Sequence, residues 1–139
     1  SDASRLLQGL GIGTELHYDQ MANVDPRLKV KVLLAQALFG NPDIVMLDEP
    51  TNNLDIYHAT NLMKTVRRLC DELGKTVILV LHELNYAAFY SDYICAFLDG
   101  RVAKFGTVRE VITKETLSEI YKVDFEIMEV AGKPLTIYY

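Results

Sequence analysis

The stretch IVMLDEPTNNLD, residues 44–55, decides the fold prediction for this chain. Four apolar residues run directly into two adjacent acids, Asp48 and Glu49, and a proline and an Asn/Asp-rich turn follow. A short apolar run bounded by turn residues is typical of a strand buried in a parallel sheet. A carboxylate at the end of such a strand is costly to bury unless it is paired or binds a metal. The stretch therefore predicts a buried strand that carries two acids at its carboxyl end.

The composition is that of an ordinary soluble globular protein and predicts a single domain over residues 1–139. Of the 139 residues, 50% are hydrophobic and 24% are charged. The 14 basic and 19 acidic residues give a net charge of −5, which argues against a nucleic acid as a direct partner, because phosphate binding needs a basic face. There is no apolar run near the ~20 residues of a membrane span, and no signal-peptide pattern. Cys70 and Cys95 are predicted to be buried thiols, and the expected location is cytoplasmic.

The segments around the acidic stretch predict a crossover unit. A helix is predicted from about Pro26 to Phe39, and apolar residues at helical spacing predict a second helix over Ala59–Leu73, which ends at Gly74. TVILVL, residues 76–81, predicts a second buried strand. Because a helix joins the two strands, they should be parallel neighbours in one sheet.

The remainder of the chain predicts antiparallel additions. A helix is expected from about Asn85 to Tyr90, a hairpin over 93–106 with its turn at Asp99-Gly100, two short helices over 107–112 and 115–121, and a last hairpin over 125–139. The fold class is therefore α/β, with a parallel core, helices on both of its faces and C-terminal antiparallel hairpins.

Three polar side chains are predicted to meet at one edge of the parallel sheet. Ligands of such sheets bind beyond the carboxyl ends of the strands, where Asp48 and Glu49 lie and where His82 follows the second strand. This set suits phosphoryl transfer: one carboxylate can hold Mg²⁺, another can orient or deprotonate water, and a histidine can contact the terminal phosphate. The alternative is that the acids begin a solvated turn and that His82 caps the next helix.

Two of these motifs resemble those of ATP-binding cassette (ABC) ATPases. VMLDEPTNNLD, residues 45–55, is similar to the Walker B and D-loop region, and VILVLHE, residues 77–83, is similar to the strand that carries the switch histidine. The resemblance implies a P-loop-NTPase-like fold and Mg-ATP as cofactor. It also implies one role for each of four residues: Asp48 in the magnesium shell, Glu49 as the catalytic carboxylate, Asp55 in the nucleotide-facing D-loop, and His82 as the switch residue.

The resemblance comes from two branches of the family. Residues 1–55 resemble the ABC-F type, which are soluble twin-cassette proteins that act on ribosomes, and residues 56–139 resemble the ATPase subunits of iron-siderophore importers. This implies siderophore transport and a membrane permease as partner for the C-terminal part, at the inner face of the membrane. We also state the hypothesis of an engineered chimera that crosses over in the shared motif.

The phosphate loop of the family, G-x-x-x-x-G-K-[ST], does not occur in these 139 residues. GKT at 74–76 is a false match, because Leu69 stands where the first glycine is needed and the element order is reversed. GLGIG at 9–13 follows no predicted strand. The resemblance therefore covers the C-terminal part of a cassette, without the Walker A half.

The family's signature motif is also altered. Where the family has Leu-Ser-Gly-Gly-Gln/Glu, residues 24–28 are VDPRL. Pro26 lacks a backbone N–H, and Asp25 adds a negative charge beside a helix N-terminus, so this segment suits a helix start better than a phosphate site. We predict that the isolated chain does not hydrolyse ATP and that its partner is a second copy or the missing N-terminal half of a cassette.

Two other hypotheses remain open at this point. The first is a non-catalytic, engineered or recombined α/β module in which the ATPase motifs are relics. The second is a response-regulator-like Mg²⁺-binding module in which Asp48 accepts a phosphoryl group. The acid at the strand end allows the second hypothesis, but EPTNNLD, residues 49–55, does not favour it, because the resemblance to ABC ATPases explains those residues better.

Overall fold

The computed structural model describes residues 34–139, which belong to two compact units, Ser1–Val80 and Leu81–Tyr139. In the first unit, residues 34–38 are helical, and the rest of the helix predicted from Pro26 lies outside the described residues. The later elements of this unit are β1 Ile44–Asp48, α1 Ile56–Leu73 and β2 Thr76–Val80. The second unit contains α2 Leu84–Tyr90, β3 Tyr93–Leu98, β4 Arg101–Thr107, α3 Val108–Val111, α4 Lys114–Tyr121, β5 Phe125–Val130 and β6 Lys133–Tyr138.

The first unit contains the predicted crossover. β1 and β2 pair in parallel, in a register that runs from Ile44 opposite Thr76 to Asp48 opposite Val80. The connecting helix α1 ends as the sequence predicts, because Gly74 adopts a left-handed conformation with φ 65° and its N–H donates to the Cys70 carbonyl.

One face of the β1–β2 sheet is packed against helices. Its inner residues contact a buried cluster of apolar side chains from the helical segment 34–38 and from α1, which are Leu34, Leu62, Val66 and Leu69. On the opposite face, Met46 is 71% exposed and its cross-strand neighbour Ile78 is 47% exposed. The α/β class is confirmed. Helices on both faces were expected; within residues 34–80, the helices that pack on this sheet lie on one of its faces.

Both predicted hairpins are present in the second unit. β3 pairs with β4 and β5 pairs with β6, each in antiparallel fashion. Asp99 and Gly100 both have positive φ angles, 52° and 74°, as the tightest hairpin turns require. Helices α2 to α4 bury a separate apolar cluster with the second hairpin, formed by Ala88, Val108, Ile112, Leu117 and Phe125.

The two cysteines differ in their exposure to solvent. Cys95 is exposed and Cys70 is half-buried, so the prediction of two buried thiols is wrong for Cys95. Cys95 shares an open face of the β3–β4 hairpin with Tyr93 and Phe97, because alternate residues of a strand point to the same side. Within residues 34–139, each helix is too short or too polar to span a bilayer.

Candidate functional site

Asp48 and Glu49 lie at the carboxyl end of the β1–β2 pair. Asp48 is the last residue of β1 and stands opposite Val80, the last residue of β2. The Glu49 N–H donates to the Val80 carbonyl at 3.0 Å, so the ladder continues for one residue beyond the strand. The structure therefore places both acids at the strand ends, where parallel sheets bind their ligands.

Glu49 has a backbone conformation that is rare for a side chain of its size. Its φ angle is 45°, in the left-handed region that costs free energy for any residue but glycine. Asn52 stabilises this turn twice, since its N–H donates to the Glu49 carbonyl at 3.0 Å and its Nδ2 donates to Glu49 Oε2 at 3.4 Å. Strained residues of this kind concentrate at functional sites, and no signal in the sequence indicated the strain.

A cavity of about 310 Å³ opens beside these acids. It is lined by Leu34, Ala37, Met46, Leu47, Asp48, Glu49, Pro50 and Leu62. Its wall is mainly apolar, and its charged groups are the two carboxylates. None of the described residues that line it is basic, so a polyphosphate would need its positive counter-charge from elsewhere.

The two acids fit a magnesium site in which the protein supplies two carboxylates and the remaining ligands are water and phosphate oxygens. Among residues 34–139, no three His, Cys, Asp or Glu side chains are grouped closely enough to hold a metal ion. Mg²⁺ is commonly held by one or two protein carboxylates, with water and phosphate oxygens as the other ligands. Asp48 and Glu49 can supply that protein share.

Asp55 has a structural role at the start of α1. Its Oδ1 accepts from the His58 backbone N–H at 2.9 Å and lies 2.8 Å from His58 Nδ1. Asp55 is thus the N-cap residue that its type and position favour, and its carboxylate remains exposed. His58 is half-buried against it.

His82 belongs to the second unit, where it is exposed and directly precedes α2. The helix cap is the next residue: Glu83 accepts from the N–H groups of Asn85 at 3.0 Å and Tyr86 at 2.7 Å. The alternative that His82 caps this helix is therefore wrong. Glu83 is the N-cap, and its negative charge is favourable at a helix N-terminus.

Known proteins resemble this chain over most of its length, although no family model matches it. The petrobactin import ATP-binding protein YclP of Bacillus subtilis is 38% identical over 109 residues, which are 78% of this chain and 43% of that protein. The Escherichia coli O157:H7 protein named "Probable ATP-binding protein YbiT" is 45% identical over 84 residues, 60% of this chain and 15% of that protein. The chain thus spans less than half the length of these relatives.

The fold also resembles that of a solved ABC transporter. A solved inward-facing metal-chelate type ABC transporter superposes with a TM-score of 0.86 at 20% identity, over 99% of this chain and 55% of that one. An identity this low carries the fold alone, and the relatives named above carry the sequence likeness. The chain is similar in sequence to part of an ABC transporter ATP-binding protein and has the fold of a partial ABC ATP-binding domain.

Proposed function

We propose that this chain supplies the magnesium-binding and water-activating carboxylates of an ABC-type ATPase. The observation that carries this proposal is the position of Asp48 and Glu49 at the carboxyl ends of two parallel strands. Hydrogen bonds from the backbone and from Asn52 hold Glu49 in a strained turn. A carboxylate held in this way can act on water without first being ordered, which favours a catalytic role over a solvated turn.

Each of the four predicted site residues would have its own role in hydrolysis. When bound, Mg²⁺ neutralises the charge of the phosphates. Asp48 would hold the ion, and Glu49 would orient a water molecule and accept its proton. His82 would contact the terminal phosphate, and Asp55 would face the nucleotide from the turn before α1.

Nucleotide binding needs a further segment in this proposal. The sequence contains no phosphate loop, and the described lining of the cavity beside Glu49 has no basic side chain. We propose that the N-terminal half of a cassette, or a second copy of this chain, supplies the missing phosphate contacts. We further propose that the two units are parts of one domain, which the 99% coverage by one solved transporter supports.

Calorimetric titration with Mg-ATP tests this function. The chain alone should show no saturable binding up to millimolar nucleotide. Addition of the N-terminal half of YclP should restore binding and hydrolysis. In that mixture, Glu49→Gln should keep binding and lower hydrolysis by about 10²–10⁴-fold, the usual contribution of a general base.

Glu119→Gln is the matched control, because it removes one carboxylate from an exposed position of α4. It should leave hydrolysis unchanged. Micromolar binding by the chain alone would contradict the need for a partner. Complementation without an effect of Glu49→Gln would contradict the role of Glu49.

We propose iron-siderophore import as the process that this ATPase serves. YclP is named for petrobactin import, and residues 56–139 resemble importer subunits of this class. In that setting the chain would contact a membrane permease at the cytoplasmic face of the membrane. Pull-down with the permease of the YclP system, with and without Mg-ATP, tests this assignment.

We also propose that residues 1–55 derive from the ABC-F type and that the chain is a chimera. The resemblance of the two segments to different branches of the family supports it, as does similarity to two relatives with different names. A natural gene that encodes the whole sequence would contradict it.

A non-catalytic module is the alternative function. The exposed apolar face of the β1–β2 sheet favours it, because such a face suits assembly without chemistry. Failure of Glu49→Gln to change anything but stability, in the complemented mixture, would favour this alternative.

A further inference from the structure

Asn85 joins the first turn of α2 to the last strand of the chain. Its Oδ1 accepts from the Thr136 N–H at 2.8 Å and from Thr136 Oγ1 at 2.8 Å. Its Nδ2 donates to the Thr136 carbonyl at 3.3 Å. One side-chain amide therefore satisfies both backbone groups of a strand residue, as a neighbouring strand would do.

This contact joins a half-buried side chain, Asn85, to a buried one, Thr136, within the second unit. Thr136 is 4% exposed. Buried polar groups that lose a partner are left without solvent to replace it, so such contacts hold their geometry firmly. On its other side, α2 buries Ala88 in the cluster that contains Phe125 of β5. The helix is thus tied to both strands of the C-terminal hairpin.

Asn85 is also held through its backbone. Its N–H donates to Glu83 Oε1 at 3.0 Å, and the N–H of Tyr86 donates to Glu83 Oε2 at 2.7 Å. The Glu83 carbonyl accepts from the Ala87 N–H at 3.2 Å. Glu83 has a defined extended conformation, with φ −84° and ψ 110°, so the direction in which the chain enters α2 is set.

His82 is the residue immediately before Glu83. Its position therefore follows from the placement of the first turn of α2. We propose that Asn85 is a positioning residue, which holds this turn against β6 through Thr136 and thereby sets the position of His82. The importance of that position for phosphate contact rests on the proposed function, whereas the positioning itself needs no nucleotide.

Proton NMR of the histidine rings tests the positioning directly. The chain has three histidines, and each should give a separate Hε1 signal that a His→Gln variant assigns. In folded Asn85→Ala, the His82 signal should move by more than its line width, and the Ala87 amide should lose protection from exchange. The His58 signal, from the first unit, should not move.

The matched control is Asn61→Ala, which removes an exposed asparagine from α1. It should leave the His82 signal in place. If Asn85→Ala does not fold, Thr136→Val takes its place, because it removes only the hydroxyl contact to Asn85 Oδ1. It should move the His82 signal by less, and Thr136→Ser should restore it. A lower melting temperature with an unmoved His82 signal, in whichever of these variants folds, overturns the proposal.

ATP hydrolysis, measured in the mixture with the N-terminal half of YclP, tests the role of His82 separately from its positioning by Asn85. A shifted signal in Asn85→Ala, combined with full activity of His82→Ala, would overturn the role of His82 in hydrolysis and leave the positioning intact. An unmoved signal, combined with inactive His82→Ala, would overturn the positioning and leave the function intact. We expect a shifted signal in Asn85→Ala and reduced hydrolysis in both variants.

Discussion

One carboxylate oxygen of Asp55 contacts His58 twice, at its backbone N–H and at its ring Nδ1, at 2.9 and 2.8 Å. The first contact satisfies a free N–H of the first turn of α1, and the second places the imidazole on the same atom. Asp55 therefore starts the helix that covers the inner face of the β1–β2 sheet, whatever its role toward nucleotide.

Loss of this cap should destabilise the chain. Asp55→Ala should lower the free energy of unfolding by about 1 kcal/mol, because a helix N–H loses its acceptor. Asp55→Asn should stay within a few tenths of a kcal/mol of the original chain, since asparagine caps equally well. Urea denaturation followed by circular dichroism measures both. Equal stability of the Ala and Asn variants would show that the cap contributes nothing.

The left-handed turn at Glu49 makes a prediction about glycine. Glu49→Gly should be more stable than Glu49→Ala by about 1 kcal/mol, because glycine adopts a positive φ without strain. Both variants remove the same side-chain contact to Asn52, so their difference isolates the backbone. At the exposed helical position Lys64 the order should reverse, with Gly about 1 kcal/mol less stable than Ala. The same order at both positions would argue against strain at Glu49.

The ion pair of Arg109 and Glu129 should stabilise the chain at neutral pH and lose this contribution in acid. Arg109 donates to the Glu129 carboxylate and also, at 2.9 Å, to the Gly132 carbonyl. The hydrogen bond from Arg109 lowers the pKa of Glu129. A lowered folded-state pKa gives stability that is present above the ordinary glutamate pKa of about 4.3 and is lost as pH falls through the folded pKa.

Thermal unfolding between pH 7 and pH 2.5 measures this contribution. Arg109→Gln should lower the melting temperature slightly at pH 7, and its curve should meet that of the original chain at the acid end. Both groups are exposed, so the effect should shrink in high salt. Arg101→Gln, at an exposed position of β4, is the control. A gap between the curves of Arg109→Gln and the original chain that persists at pH 2.5 would contradict an electrostatic origin.

The open face of the β1–β2 sheet should make the isolated chain self-associate. Met46 and Ile78 lie opposite each other on this face, and both are exposed. Met46→Lys should weaken association in sedimentation velocity, because it places a charge in the apolar patch. Met128→Lys is the control, since Met128 is an exposed methionine of β5 in the other unit. A monomer at every concentration would contradict a homodimer as partner.

Local rules predicted most of the elements. The apolar run before Asp48 is a strand, Gly74 ends α1, and Asp99-Gly100 turns a hairpin, each for reasons that involve only a few neighbouring residues. The exposure of Cys95 was missed, because hydrophobic strands look alike whether one or both faces are covered. The helix cap at Glu83 was also missed, since serine, threonine and aspartate are the usual signals.

The sequence by itself determined the order of strands and helices and the position of Asp48 and Glu49 at a strand end, because hydrophobic period and turn chemistry act over short distances. Only the tertiary structure decided the strained conformation of Glu49 and the contact of Asn85 with Thr136, 51 residues further along the chain. The hydrogen bond from the Glu49 N–H to the Val80 carbonyl and the contact of Asn85 with Thr136 each join groups that are adjacent only after the strands have paired and the helices have packed. No local pattern encodes such a contact, because its free energy depends on the burial that folding creates.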